Sequence, residues 1–504
     1  MVPWAAVVVT PEDRVLAAAS PMFHGGLFWR RVGPGGRELR IASDPGPLLR
    51  GAPRAEIDAD YVIDYLAMRP PTAGTPYRGI GRLDSGSTFE FGPGRGAPER
   101  SEWCGVEAWR QPFREGPGTA SDYLRTFDAA VDDAVPPSGP LVVALSGGLD
   151  STFLAASLVR HASAQRPVVG LVHRPVAGVP TLVRPAMVAD DWPYAKALAR
   201  KYPGLIELEA IRNDAGLLGL DVALAESRRG RLPVLNQGNS VWIDALRMRA
   251  LAAGAEGIFL GSTGNYSYSH PHSYAFVEAL HRRQWAQAAA EFRRDATARG
   301  GRAAALRAAA QVSARWRHRD DGTLAYTRLL HMRRGIMRPE RPDSSRGAYL
   351  DAMAEHTTSF MGAANPAASR GLLGLDPFES ESVLRFAAEM TPREWRRVPT
   401  ARGYARMLAE GRVPDEIRLR QHRGAQAADA WWVTAQHRRR YLDEAEALRT
   451  TPVLRDMIDV NALAARLRGW PWEQPAGPEI LELLAMDRLL HMGAFLRDAD
   501  SNLG

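Results

Sequence analysis

"VVALSGGLDSTFLAAS", residues 142–157, decides how the chain reads. Apolar residues run into Ser146-Gly147-Gly148, then Leu149-Asp150-Ser151, then an Ala-rich segment with helical spacing. The pattern predicts a buried strand, a tight turn and the first turn of a helix. Unpaired N–H groups and the positive end of the helix dipole face such a turn, so it favours an anion. Two glycines let the backbone approach a phosphate closely. Ser146 and Ser151 add hydroxyl donors. Asp150 repels a bare phosphate, so a cation belongs between them, and Mg2+ held by one carboxylate and phosphate oxygens fits. A P-loop needs a longer turn ending in Gly-Lys-[Ser/Thr], which is absent here.

Outward from this turn, strands alternate with helices. "LVVAL" enters one helix, "PVVGLVH" follows, "YAKALARKY" is helical, and "LIELEAI" and "GIFLG" are strand-like. That alternation predicts an α/β fold with a parallel sheet covered by helices on both faces. From about residue 275 the pattern is mostly helical, with the Ala/Arg-rich run 279–319 broken at Gly300-Gly301. That run is either a solvated helical surface or a groove for an acidic partner. Before the turn, "ASDYLRTFDAAVDDAV" (120–135) reads as a helix with Ser121 or Asp122 as N-cap. "RQPFREGPGTASD" (110–122) reads as a linker, and residues 1–95 as short strands and turns.

The bulk numbers set limits. At 504 residues the chain is too long for one compact domain. No stretch approaches the roughly 20 apolar residues of a membrane span. "MVPWAAVVVTPEDR" lacks the features of a signal peptide. A single cysteine, Cys104, excludes a disulfide framework and any Cys-based zinc site, so a cytoplasmic location is expected. The net charge of +7 is either a basic solvated surface or an attraction for an anionic substrate. Neither a nucleic acid nor a membrane is expected as partner. Lys196 and Lys201 are the only lysines; all other basic residues of the Lys/Arg type are arginines.

Ser146 to Ser151 resemble the pyrophosphate-binding loop of the ATP-pyrophosphatase superfamily, in its asparagine synthetase-like branch. The resemblance implies an adenine nucleotide alpha-hydrolase-like parallel-sheet domain with a helical C-terminal part over 120–504. A truncated, β-rich, class II glutamine amidotransferase-like domain would precede it over 1–115. It implies ATP and Mg2+ as cofactors. ATP would be cut between its α- and β-phosphates, with a carboxylate adenylated before an amine attacks. Carried onto this sequence, Leu145, Ser146, Gly147, Gly148, Asp150 and Ser151 hold pyrophosphate. Val172 in "VVGLVHRP" meets adenine through its backbone, and Leu260 and Gly261 meet the nucleotide. "ADDWPYAKALARKY", "GLLGLDPFESESVLRFAAEM" and "RGYARMLAEGRVPDEIRLRQHRG" resemble further family segments, the last one closing over the site.

Three departures qualify this. Val2 stands where glutamine-using members carry their nucleophilic cysteine, so glutamine hydrolysis is not expected. Residues 1–95 match only the later part of the glutaminase domain. They are either a remnant covered by another element or the result of a misassigned start, and a half sandwich exposes a strand edge. Asn265 stands where the second loop has an Asp, so Asp150 and Asn265 are the metal ligands expected, unless the loop has lost the metal. The usual lysine of the closing segment is missing; Arg420, His422 and Arg423 stand there. Arginine stabilises an anion but cannot serve as a base, whereas His422 can move a proton, or is simply a surface histidine. Arg402 and Arg406, four apart, share one helix face and point to phosphates or to solvent. His270-Pro271-His272 is weak evidence for a metal.

"GNYSYS" and "RGAQAAD" are similar to lasso peptide cyclases. That implies a precursor peptide as the carboxylate substrate, with a leader-peptide-binding protein and a protease as further partners. Asparagine synthetase itself, or a non-catalytic nucleotide-binding relative, are the alternatives.

Overall fold

The computed structural model describes residues 4–20, 25–50, 56–67, 74–83, 85–92, 98–102, 119–181, 183, 187–270, 275–298, 301–316, 344, 346–347, 349–353, 370–398, 400–473 and 477–501. Cys104, His272, Gly300 and most of the expected linker fall outside these residues.

Short runs of apolar and β-branched residues broken by Gly, Pro and Asp fold the N-terminal strands into antiparallel pairs. Strands β1 (Ala5–Val9), β2 (Val15–Ala19), β6 (Ser87–Phe91) and β7 (Glu99–Glu102) form one sheet in that order. Strands β4 (Glu38–Ala42), β3 (Phe28–Val32) and β5 (Gly81–Arg82) form another. Phe89, Phe91, Ala17 and Ala19 pack with Trp29 and Leu39, so the two sheets share a small core. β1 lies at an edge, with Val7, Val8 and Val9 exposed. Helices depart from the strand-and-turn reading of this region: a short one at Gly46–Leu49 and a longer one further on. Ala59–Leu66 is a helix, capped by the Asp58 carboxylate, which accepts from the Asp60 and Tyr61 N–H groups.

The C-terminal portion is built on a five-stranded sheet. Its strands are β8 (Leu141–Ala144), β9 (Val168–His173), β11 (Ile206–Ile211), β12 (Gly257–Phe259) and β13 (Leu373–Leu375). All pair in parallel, in the order β11-β9-β8-β12-β13. Both faces are buried, as a continuous apolar strand requires. Leu141, Val143 and Phe259 face a core with Tyr123, Phe127, Phe153 and Phe378, while Val142 and Ile258 face Leu246 and Ala250 on the other side. Two expectations need correction here. β13 lies in a region read as helical; three residues are too few to show a period, and pairing with β12 makes them a strand. The helix Ala120–Ala134 is capped by Thr119, not by Ser121 or Asp122, and Asp122 supplies the reciprocal half of the capping box.

A third core joins the ends of the chain. Phe28, Tyr61, Tyr65 and Tyr77 pack with Leu220, Leu448, Leu490 and Phe495. The Tyr65 hydroxyl also lies 3.2 Å from Nδ1 of His491, on the helix Gly477–Ser501.

Candidate active site

The chain runs outward from β8 through β9 to β11, then crosses back to place β12 on the other side of β8. The strand order therefore reverses between β8 and β12, and a crevice at the C-terminal ends of the strands is the expected ligand site there. The turn after β8 is Leu145–Ser151, and the turn after β12 is Leu260–Asn265. The topology brings both sequence-singled loops to one place.

The first loop is closed by its own side chains. Leu145 extends the ladder by one bond, its N–H donating to the Leu171 carbonyl at 2.9 Å. Val172 stands one residue past the last β8–β9 pair, Ala144 with Leu171, and is buried. The Ser146 N–H donates to Ser151 Oγ at 3.1 Å, the two hydroxyls are 2.9 Å apart, and the Gly148 N–H donates to Ser146 Oγ at 3.1 Å. Gly148, at the N-cap of the helix Leu149–Leu158, has no side chain to cap it, so the first turn presents the positive end of the helix to this loop. Gly147 is tightly enclosed: a Cβ there would lie 2.5 Å from Arg420 Nη1 and 2.8 Å from Tyr194 Cβ.

The second loop packs directly on the first. A Cβ on Gly261 would lie 3.2 Å from the Ser151 nitrogen, and one on Gly264 would lie 2.7 Å from Asp150 Cβ. The Leu260 N–H donates to the Leu375 carbonyl at 2.8 Å. Asp376 Oδ2 accepts from the Thr263 N–H at 3.0 Å, and the Thr263 hydroxyl donates to Glu379 at 2.8 Å. Burial pushes the Asp376 carboxyl well up and neighbouring Glu379 pushes it further, while backbone N–H groups of the second loop and of Phe378 pull it back. Sequence reasoning took "DPFE" as a family segment and gave Asp376 and Glu379 no role. The signal was present: two carboxylates three residues apart, beside a strand end.

The arginines divide by what they touch. Arg402 reaches both expected metal ligands, with Nη1 3.3 Å from Asp150 Oδ2 and Nη2 donating to Asn265 Oδ1 at 2.7 Å. Arg406 is buried and serves the backbone instead. Its Nε donates to the Ala401 carbonyl at 2.8 Å, Nη2 to the Arg420 carbonyl at 2.8 Å, and Nη1 to the Arg418 carbonyl. It thus fixes the closing segment, and three carbonyls leave little of its fork for a phosphate. Arg420 donates from Nη1 to the Gly147 carbonyl at 2.8 Å and to Asp191 at 2.9 Å, with its guanidinium 3.8 Å from the centre of the Tyr194 ring. Its side chain is 4% exposed, and among the described residues its Nε and Nη2 are buried with no hydrogen-bond partner. Unpaired buried donors beside an anion loop are poised for an anion. Asp191 was not singled out from sequence; it orients Arg420. Arg423 and Gly424 form β14, paired with β10 (Met187–Val188), which holds the segment over the first loop. His422 and Arg423 are exposed there. His270 is buried against Tyr349 and Trp395, its pKa driven down to about 3 by burial and by Arg402, which suits a packed neutral ring.

A profile of the asparagine synthase family matches residues 122–486, covering both loops, the "DPFE" segment and the closing arginines. The chain belongs to the asparagine synthase family. It is therefore a member of a family of ATP-dependent, amide-forming carbon–nitrogen ligases, which use ATP generally with Mg2+. No curated protein matches the chain. Among the described residues no helix is long and apolar enough to cross a membrane.

For an asparagine synthase-family protein the residues present fit Mg2+ sparingly. Burial pushes the Asp150 carboxyl up, while Arg402 and the Ser269 hydroxyl pull it back. Among the described residues its Oδ1 is buried without a hydrogen-bond partner, an acceptor left for a cation. Asn265 adds one neutral oxygen across the cleft. Among the described residues no cluster of three or more His, Cys, Asp or Glu side chains could hold a metal. One carboxylate and one amide suffice for Mg2+ that arrives with phosphate and water ligands.

Proposed function

We propose that the chain is an AMP-forming amide ligase that closes a macrolactam on a precursor peptide, in the manner of a lasso peptide cyclase. The observation that carries the adenylation is the meeting of Ser146–Ser151 with Leu260–Asn265 at the point where strand order reverses, with Arg402 and Arg420 beside them. The cyclase reading is supported by "GNYSYS" and "RGAQAAD". The alternative within the family is ammonia-using asparagine synthesis.

In this reading an Asp or Glu side-chain carboxylate of the peptide attacks the α-phosphorus of ATP. The bond from that phosphorus to the bridging oxygen breaks, and pyrophosphate leaves. The peptide's N-terminal amine then attacks the acyl carbon, loses a proton, and AMP departs. The positive end of the 149–158 helix and the Ser146 and Ser151 hydroxyls hold the departing pyrophosphate. The backbone of Val172 orients adenine. Arg420 donates Nε and Nη2 to anionic oxygen, while His422 accepts the amine proton. Asp150 and Asn265 would hold Mg2+, whose charge neutralises the phosphates when bound. Catalysis then rests on positioning and on fixed charge.

The test is pyrophosphate release with ATP, Mg2+ and either acidic peptides encoded beside the gene or aspartate with ammonia. A cyclised, dehydrated peptide is the expected product, and Asp150→Ala should abolish the release. Tight ATP binding with no pyrophosphate from any of these substrates would sink the ligase reading. Asparagine as sole product would replace the cyclase with the alternative.

A further inference from the structure

Asp150 and Asn265 are joined by a side chain of the protein itself. Arg402 spans them with its two terminal nitrogens, at 3.3 Å and 2.7 Å. We propose that Arg402 is a resident cation that fills the space between Asp150 and Asn265 until nucleotide arrives, so that a divalent ion binds there only together with nucleotide. The inference rests on reading Asp150 as the carboxylate that meets Mg2+.

Two features beyond the contact support it. The backbone is arranged to deliver this side chain. Arg402 has φ of 57°, a left-handed conformation unfavourable for a residue with a Cβ, at the start of the helix Gly403–Leu408. The next residue must be glycine, since a Cβ there would lie 2.3 Å from the Val398 carbonyl oxygen. Opposite, Gly264 lets the second loop approach until Asp150 cannot swing away. The contact is thus between two held groups.

Charge supplies the coupling. One guanidinium and one carboxylate cancel, and Asn265 adds no charge. A divalent ion entering alone must displace Arg402 or sit beside it, and like charges at this range repel. A nucleotide changes this, because its phosphates accept the displaced guanidinium in the paired geometry that arginine suits. The guanidinium at the end of the Arg402 side chain then shifts from carboxylate to phosphate, and the Asp150 carboxylate, staying in place, meets the metal.

The experiment titrates Mn2+, in place of Mg2+, into the full chain and follows the free ion by paramagnetic resonance. The wild type should bind no Mn2+ tightly alone and one ion with the α,β-methylene analogue of ATP. Arg402→Ala should bind Mn2+ without nucleotide at least about tenfold more tightly than the wild type, the lower end of what an adjacent cation does to a carboxylate's charge balance. Adding Asp150→Asn to Arg402→Ala should remove that gain. Arg402→Lys, which keeps the charge but cannot bridge both oxygens, should fall between and serves if the alanine variant does not fold. Equal Mn2+ affinity in all variants, or a gain that survives Asp150→Asn, overturns the inference. No turnover is involved, so the two readings fail separately. Coupled metal binding without pyrophosphate release leaves this inference standing, and release from a chain that binds Mn2+ alone does the reverse.

Discussion

Gly264→Ala tests how tightly the two loops are registered. Gly264 opens the short helix Gly264–Ser267, and a Cβ there would lie 2.7 Å from Asp150 Cβ and 2.8 Å from its Oδ1. Ordinary contact begins at 3.4 Å, so one group must retreat by about 0.7 Å. Asp150 has little room, because Gly261 already holds the same backbone at close range. Overpacking costs about 1–3 kcal/mol and better helix propensity returns up to about 1, so the variant should fold with a net loss of about 0–3 kcal/mol. A 1 Å misplacement costs about 100-fold in rate, so 0.7 Å should cost about 25-fold. The assay is pyrophosphate release at saturating ATP. Gly469→Ala is the control, since its Cβ would meet only the Ala465 carbonyl at 3.6 Å. Wild-type release from Gly264→Ala, within twofold, would refute the claim that the second loop pins Asp150.

His422→Ala should retain ATP–pyrophosphate exchange while amide formation falls by about 100-fold or more, the usual worth of a positioned proton acceptor; equal loss of both makes His422 a binding residue instead. Arg412 donates to both oxygens of Asp128 at 2.7 Å and to Ser157, so Arg412→Ala should lower stability by about 2 kcal/mol, below the full buried-pair value because both side chains are partly exposed, as read from the urea midpoint. The Asp487 carboxyl is pushed up to about 6 by burial, against a bond from the Tyr441 hydroxyl. The folded state therefore binds that proton more tightly than the unfolded state, and stability falls as pH rises from 3.8 through about 6. Asp487→Asn should remove this slope, at most about 3 kcal/mol, in urea midpoints measured across that window.

Much of the fold was legible because its signals are local. The Ser146–Ser151 turn, four of the five parallel strands and the helices around them each carry a pattern within a few residues. β13 was not legible, since Leu373-Gly374-Leu375 is a strand only because β12 offers it an edge. The helix Ala59–Leu66 was missed although Asp58 and the apolar residues 61, 62, 65 and 66 mark it, because neighbouring Gly and Pro residues suggested turns throughout. In the site, the family resemblance named Arg420 and the four-residue spacing paired Arg402 with Arg406, but neither could divide them. Neither says which one meets a carboxylate, which meets carbonyls and which is sealed against Tyr194.

That division bears on two departures that the sequence presents separately. Arg402 bridges Asp150 and Asn265, while Arg420, one of the residues standing where the lysine is expected, lies against the first loop. A second carboxylate at position 265 would place two negative charges on a single guanidinium and leave those three side chains net anionic, favouring a free metal ion over the nucleotide's phosphates. With Asn265 the closest pair, Asp150 and Arg402, is matched in charge, and Arg423 adds positive charge nearby. Release of Arg402 would free its charge for the pyrophosphate, and the Arg420 guanidinium, already charged, holds two buried donors for an anion. The same arrangement leaves proton transfer to another group, because a guanidinium does not give up its proton at any working pH. On the closing segment the group suited to accept the amine's proton is His422, two residues from Arg420 and one from Arg423. In the proposed reaction, charge stabilisation and proton transfer, which one lysine can combine, fall to different side chains, and they can be removed one at a time.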